Sequence, residues 1–140
     1  MATINRQFVD TSFVIALVND RDVFFSKAHE LLPAYIKNYL ITTDAVLFEI
    51  GNALSRDFRK EAVDVIEILR SSPKTEIIEI DSGLFGRGLD LYKKYNDKKW
   101  GLVDCVSFVV MHDRGITDAL TSDKHFVQAG FRAMMLDPLN

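Results

Sequence analysis

The sequence predicts an α/β fold, a central parallel sheet of about five strands flanked by helices. Two observations carry this. Short apolar runs alternate along the chain with longer stretches of helical periodicity, the pattern of strand–helix–strand units. Apolar runs also end in an acid beside small hydroxyl residues, as in FVDTSF (8–13) and TDALTSDKHF (117–126). In open parallel sheets ligands bind beyond the carboxyl ends of the strands, and a chain turning from strand to helix there needs polar residues.

Arg6–Val9 reads as the first strand, Asp10-Thr11-Ser12 as a turn or helix cap, and Phe13–Val18 as a buried helix. NDRD (19–22) breaks it. Val23–Asn38 has helical spacing, with Phe24, Ala28, Leu31 and Leu32 on one face, and Pro33 is expected to end or kink it. Tyr39–Thr43 is a second strand, and Thr43 or Asp44 caps the helix of TTDAVLFEIGNAL. Asp57–Leu69 is helical, with Ala62, Val63, Ile66 and Leu69 in phase. Thr75–Ile80 is a third strand, and Asp81-Ser82 caps the next helix. YNDKKWG (95–101) is a polar connection into the strongly apolar Leu102–Met111. Ala119–Ser122, a short helix at Asp123–Ala129 ended by Gly130, and a fifth strand at Phe131–Leu136 complete the chain.

The chain has 140 residues, 48% hydrophobic and 26% charged, and reads as a single domain over residues 1–140 with a real core. No apolar run approaches the roughly 18–20 residues needed to span a bilayer. The N-terminal MATINRQ lacks a signal-peptide layout. A single cysteine excludes an internal disulfide framework, and three histidines argue against a zinc site. The expectation is a cytoplasmic protein. A net charge of −3 does not itself advertise nucleic-acid binding, but acidic active sites lower net charge in enzymes that still carry basic patches.

Asp10, Glu49, Asp104 and Asp123 each stand in apolar company. Singly, Asp10, Asp104 and Asp123 read as helix caps and Glu49 as an exposed helix residue. Together they read as one constellation. Carboxylates converging on one pocket repel, and a hard divalent cation such as Mg²⁺ or Mn²⁺ resolves the conflict. Such a centre suits phosphodiester hydrolysis, which needs no side-chain nucleophile.

The blocks FVDTSF, TTDAVLFEIGNALS, WGLVDCVSF and ALTSDKHFVQAGF, in this order, resemble the four motif blocks of the PIN domain over nearly the whole chain, and the small VapC-type toxin ribonucleases in particular. The resemblance implies that Asp10, Glu49, Asp104 and Asp123 are the metal-centred acids. Thr11 and Ser12 shape the site beside them, and Lys124 adjoins it. It implies a Mg²⁺- or Mn²⁺-dependent endoribonuclease leaving 5′-phosphate and 3′-hydroxyl ends, a homodimer, and an antitoxin that inserts near the acidic pocket. The alternative is a non-catalytic RNA-binding or scaffold PIN module.

Other candidates read as structural. Asp81 and Asp44 are expected caps, Asp97 and Asp118 surface acids, and Cys105 a buried side chain. His125 is expected to pack or to contact phosphate, and His29 and His112 carry no assigned role. GLFGRG (83–88) lacks the Lys-Ser/Thr of a phosphate loop and reads as helix. Lys93, Lys94, Lys98 and Lys99 around Tyr95 and Trp100, with Arg56, Arg59 and Lys60, are either a solvated face or an RNA grip. Trp100 is open to both stacking and core readings.

Overall fold

A computed structural model describes residues 6–137, the side chain of Tyr35 apart. The MATIN segment lies outside the described residues. Five strands, β1 (Arg6–Val9), β2 (Tyr39–Thr43), β3 (Thr75–Ile78), β4 (Asp118–Leu120) and β5 (Arg132–Ala133), form one all-parallel sheet in the order β3-β2-β1-β4-β5. The helices are α1 (Thr11–Val18), α2 (Phe25–Tyr35), α3 (Asp44–Ala53), α4 (Arg59–Ser71), α5 (Ser82–Lys94), α6 (Leu102–Asp113) and α7 (Lys124–Gln128). The chain builds outward from β1 to β3, then crosses back through α5 and α6 to place β4 on the other side of β1. The strand order therefore reverses between β1 and β4, and that crevice is where such sheets bind ligands.

Alternation along β1 sends successive side chains to opposite faces. Phe8 meets Phe126 of α7, with ring centroids 6.3 Å apart, and Phe126 meets Phe108 of α6 edge-on at 5.0 Å. Val9 instead lines an apolar cleft with Phe13, Leu32 and Val65 of α1, α2 and α4. The result is three layers. No helix among the described residues is long and apolar enough to cross a membrane.

The observed elements depart from the sequence reading chiefly at three places, besides shifts of about two residues at the bounds of β4 and α4. First, β5 is short and gives way to a 3₁₀ turn at Met134–Leu136. The Met135 N–H donates to the Thr121 carbonyl at 3.1 Å, and Met134 and Met135 are both buried, so the apolar run was not an alternating strand. Second, β3 stops at Ile78, because the Ile80 N–H turns to the Asp44 carboxylate at 3.3 Å. Asp44 thus holds a strand end, and Thr43 is the cap of α3. Third, Pro33 lies inside α2, which closes at Tyr35 rather than reaching Asn38. Proline has no N–H for the ladder, so the helix forgoes one bond at position 33 and closes within a turn of it.

Asp81 caps α5 by accepting from the Leu84 N–H at 2.8 Å, and GLFGRG lies within that helix. Gly88 is where α5 presses on α6: a Cβ there would stand 2.4 Å from Val106 Cγ2 and 3.3 Å from Val106 Cα. Gly88→Ala should therefore cost about 1–3 kcal/mol. Gly86→Ala, in the same helix with nothing within 4 Å, should gain about 0.5–1 kcal/mol. Urea melts of the two variants check this opposition in sign.

Candidate active site

Each of the four acids arrives at the β1–β4 crevice by a local rule. Asp10 follows β1 as the N-cap of α1, and Asp123 follows β4 as the N-cap of α7. Asp104 lies in the first turn of α6, where its Oδ2 accepts from the Gly101 N–H at 3.3 Å. Glu49 comes from the middle of α3, tied by the Thr11 hydroxyl, which donates to Glu49 Oε1 at 2.8 Å. The capping readings and the clustered reading were not rivals. Short polar side chains satisfy the exposed N–H groups of a first turn, and in this topology the starts of α1 and α7 open onto one sheet edge.

A hydroxyl network holds the buried member. Asp10, 6% exposed, accepts at Oδ2 from the Ser12 hydroxyl (2.8 Å), the Thr121 hydroxyl (2.7 Å) and the Ser12 N–H (3.4 Å). Ser12 Oγ and Thr121 Oγ1 accept in turn from the N–H groups of Ser122 (3.1 Å) and Asp123 (3.0 Å). The chain after β4 is thereby laced to the chain after β1.

The bonds share one regularity. Asp10 Oδ2, Glu49 Oε1, Asp104 Oδ2 and Asp123 Oδ1 are held by the protein. Among the described residues the second oxygen of each carboxylate takes no hydrogen bond.

The electrostatics are those of a crowded group. Burial is the first cause raising the carboxyls of Asp10, Glu49 and Asp104, and the charge of Asp123 raises all three further. Asp104 is pushed up to about 6 by burial and then by the charges of Asp123 and Asp10. The one cysteine beside the acids offers no thiolate. Cys105 is fully buried, and burial, then Asp104, pushes its thiol up, keeping it neutral.

Thr11 is buried and Ser12 half-buried within this network, while Lys124 is exposed at the start of α7. One participant was not singled out from sequence, and a second, His125, was expected to pack or to contact phosphate. Thr121, fully buried, orders Asp10 and Asp123, and the one clue was a hydroxyl ending a buried strand. His125 Nδ1 lies 3.3 Å from Asp104 Oδ2 and 3.3 Å from Asp123 Oδ1, so the ring faces the acids rather than the core.

The stacking reading of Trp100 is corrected: it is 7% exposed, packs edge-on against Phe108, and its Nε1–H donates to Gln128 Oε1 at 3.0 Å. Lys93, Lys94, Lys98 and Lys99 remain exposed. Asp97 is exposed beside Lys98, whereas Asp118 is half-buried and paired with Arg132 at 3.6 Å.

The raised carboxyls set a pH dependence for the metal-free protein. A carboxyl whose folded value exceeds its unfolded one favours the fold while protonated. For Asp104 that stability is fully present below its ordinary 3.8 and is lost as the pH rises through about 6. A displacement of that size corresponds to about 3 kcal/mol between protonation states. Asp104→Asn should therefore raise the metal-free Tm at pH 8 by roughly 6–12 °C and flatten its fall between pH 5 and 8. Calorimetry in chelator measures both.

The sequence model of the PIN domain matches residues 8–132. The 23S rRNA-specific endonuclease VapC20 of Mycobacterium tuberculosis is 30% identical over 124 residues, 89% of this chain and 94% of that protein. The crystal structure of M. tuberculosis VapC20, a sarcin–ricin loop cleaving toxin, matches with a TM-score of 0.80 at 30% identity, covering 89% of this chain and 95% of that one. VapBC2 from Rickettsia felis, bound to a DNA fragment from its promoter, shares the fold at a TM-score of 0.62 and 16% identity, over 91% and 96% of the two chains. With a parallel sheet that delivers acids to its switch point and a match across 8–132, the chain belongs to the PIN domain family.

Proposed function

We propose that this protein is a metal-dependent endoribonuclease, the toxin of a type II toxin–antitoxin pair, with Asp10, Glu49, Asp104 and Asp123 as its metal-centred acids. The observation that carries the reading is the set of four carboxylates at one crevice, each with one oxygen held by the scaffold and the other without a partner among the described residues. Family membership and the VapC20 relative support the chemistry.

The residues fit a hard divalent cation. The donors are carboxylates with free oxygens, and the ligand atoms of Asp104, Asp123 and His125 lie within 4.8 Å of one another. When bound, Mg²⁺ or Mn²⁺ supplies Lewis acidity that lowers the pKa of water and offsets phosphate charge. The chain's own residues do the positioning. Ser12 and Thr121 fix Asp10 in one rotamer, and Thr11 fixes Glu49. The exposed Lys124 and the lysines of 93–99 attract the RNA backbone by charge.

A protein partner and a homodimer belong to the same reading. The cleft walled by Phe13, Leu17, Leu32, Ile36 and Ile68 offers an antitoxin an apolar seat. Phe48, 73% exposed beside Glu49, and the exposed Phe85 and Tyr92 of α5 supply apolar surface for a second copy.

Cleavage of RNA, with 23S rRNA as the first substrate to try, should vanish in chelator and return with Mg²⁺ or Mn²⁺. Full activity in chelator would point to a metal-independent ribonuclease. Asp10→Asn, Glu49→Gln, Asp104→Asn and Asp123→Asn should each lose activity by about a hundredfold or more, since even outer-sphere partners of a metal matter 10–100-fold. Each substitution preserves the oxygen that the scaffold holds, so these variants should fold. Asp81→Asn should cleave normally. Expression of the wild type alone should arrest growth of a bacterial host and Asp104→Asn should not. Equal toxicity of the two would favour the non-catalytic scaffold reading.

A further inference from the structure

We propose that His125 is a nitrogen ligand of the cation held by Asp104 and Asp123, and that it tilts this centre toward first-row transition ions over Mg²⁺. The proposal deepens the nuclease reading above and rests on it.

The placement of the ring follows from the start of α7. Asp123 caps the helix by accepting from the His125 N–H at 2.9 Å, which fixes residue 125 over the carboxylate. The ring then lies between two acids from different elements, with Nδ1 at 3.3 Å from an oxygen of each. Around an octahedral ion with bonds of about 2.1 Å, adjacent ligand atoms stand roughly 3 Å apart. Nδ1 is thus close to that spacing from one oxygen of each acid, and the ligand atoms of the three residues lie within 4.8 Å of one another. These two oxygens also accept from the Gly101 and His125 N–H groups, and a carboxylate oxygen has a second lone pair to offer an ion. Their side chains are 22%, 18% and 32% exposed for His125, Asp104 and Asp123, so an ion can reach them from solvent. Among the described residues the ring has no other hydrogen-bond partner and no aromatic partner that would explain its orientation by packing.

The chemical consequence is selectivity. A site of carboxylates and water suits Mg²⁺, which dehydrates reluctantly and takes oxygen ligands. An imidazole nitrogen adds little for Mg²⁺ and more for Co²⁺, with Mn²⁺ between them, following the usual order of first-row affinities. One side chain, two residues beyond an acid of the constellation, thus changes which ion the centre retains.

The test uses the full chain. Mg²⁺, Mn²⁺ and Co²⁺ are titrated calorimetrically into wild type, His125→Ala and Asp104→Asn, and the Mn²⁺-loaded proteins are read by pulsed electron paramagnetic resonance for coupling to ¹⁴N. His125→Ala keeps the backbone N–H that Asp123 caps, and the wild-type spectrum needs no variant at all. The expected result is ¹⁴N coupling in wild type that disappears in His125→Ala. Co²⁺ affinity should fall about tenfold or more, and Mg²⁺ affinity by no more than roughly threefold. If wild type binds Mn²⁺ without ¹⁴N coupling, and Asp104→Asn abolishes binding, the carboxylate centre stands and the His125 proposal is overturned. Equal losses for all three ions in His125→Ala also overturn it. Absence of any divalent binding by wild type overturns the metal-centred reading and this proposal together.

Discussion

Everything in this molecule is arranged around carboxylates that repel one another. Burial and neighbouring negative charge raise three of the four acids. An arrangement of this kind survives without a cation only if each charge is locally stabilised. The protein does this with hydroxyls and helix-start N–H groups, the donors that a parallel sheet places beyond its carboxyl edge. Ser12, Thr121 and Thr11 are therefore as much a part of the site as the acids they hold.

The topology makes that solution available. Because β1 and β4 are parallel neighbours, with Val9 in register with Leu120, the residues that follow them emerge side by side. The Asp10 N–H donates to the Leu120 carbonyl at 3.2 Å, which carries the ladder one step past the strand and brings the two acidic turns together. At the opposite edge Glu76 is bridged by Arg114 in a two-pronged contact of 2.7 and 2.8 Å and by Arg6 at 3.3 Å. The ends of the sheet thus have different chemistry: paired charge at one, gathered like charge at the other.

The elements most legible in the sequence were those where a single requirement dominated. Arg6–Val9 and Tyr39–Thr43 carry strand composition bounded by polar caps, and both are observed at those bounds. The acids were legible because a lone charge in an apolar run demands a partner. Less legible were residues whose role depends on what lies across the crevice. The hydroxyl of Thr121 could as well have been a strand terminus, and only its distance to Asp10, a residue 111 positions away, gives it meaning. His125 is ambiguous for the same reason, since its neighbour Asp104 comes from α6. Met134 and Met135 read as strand because a short apolar run has no period of its own, and Trp100 stayed open between stacking and core because its contacts with Phe108 and Gln128 come from distant parts of the chain.

The site also has two unequal arms. Asp104 lies in the first turn of α6, whose residues from Cys105 to Met111 are all buried, so its backbone cannot shift without disturbing the core. Asp123 and His125 sit on α7, five residues long, whose only buried side chain is Phe126. Phe126, lodged between Phe8 and Phe108, and the bond from Trp100 to Gln128 act as the peg for that arm. A short helix on one peg opens at far lower free energy than a helix threaded through the core. Amide protons of α7 will accordingly exchange with solvent well before those of α6, and an ion that draws Asp123 and His125 inward will register first as slowed exchange in that one helix.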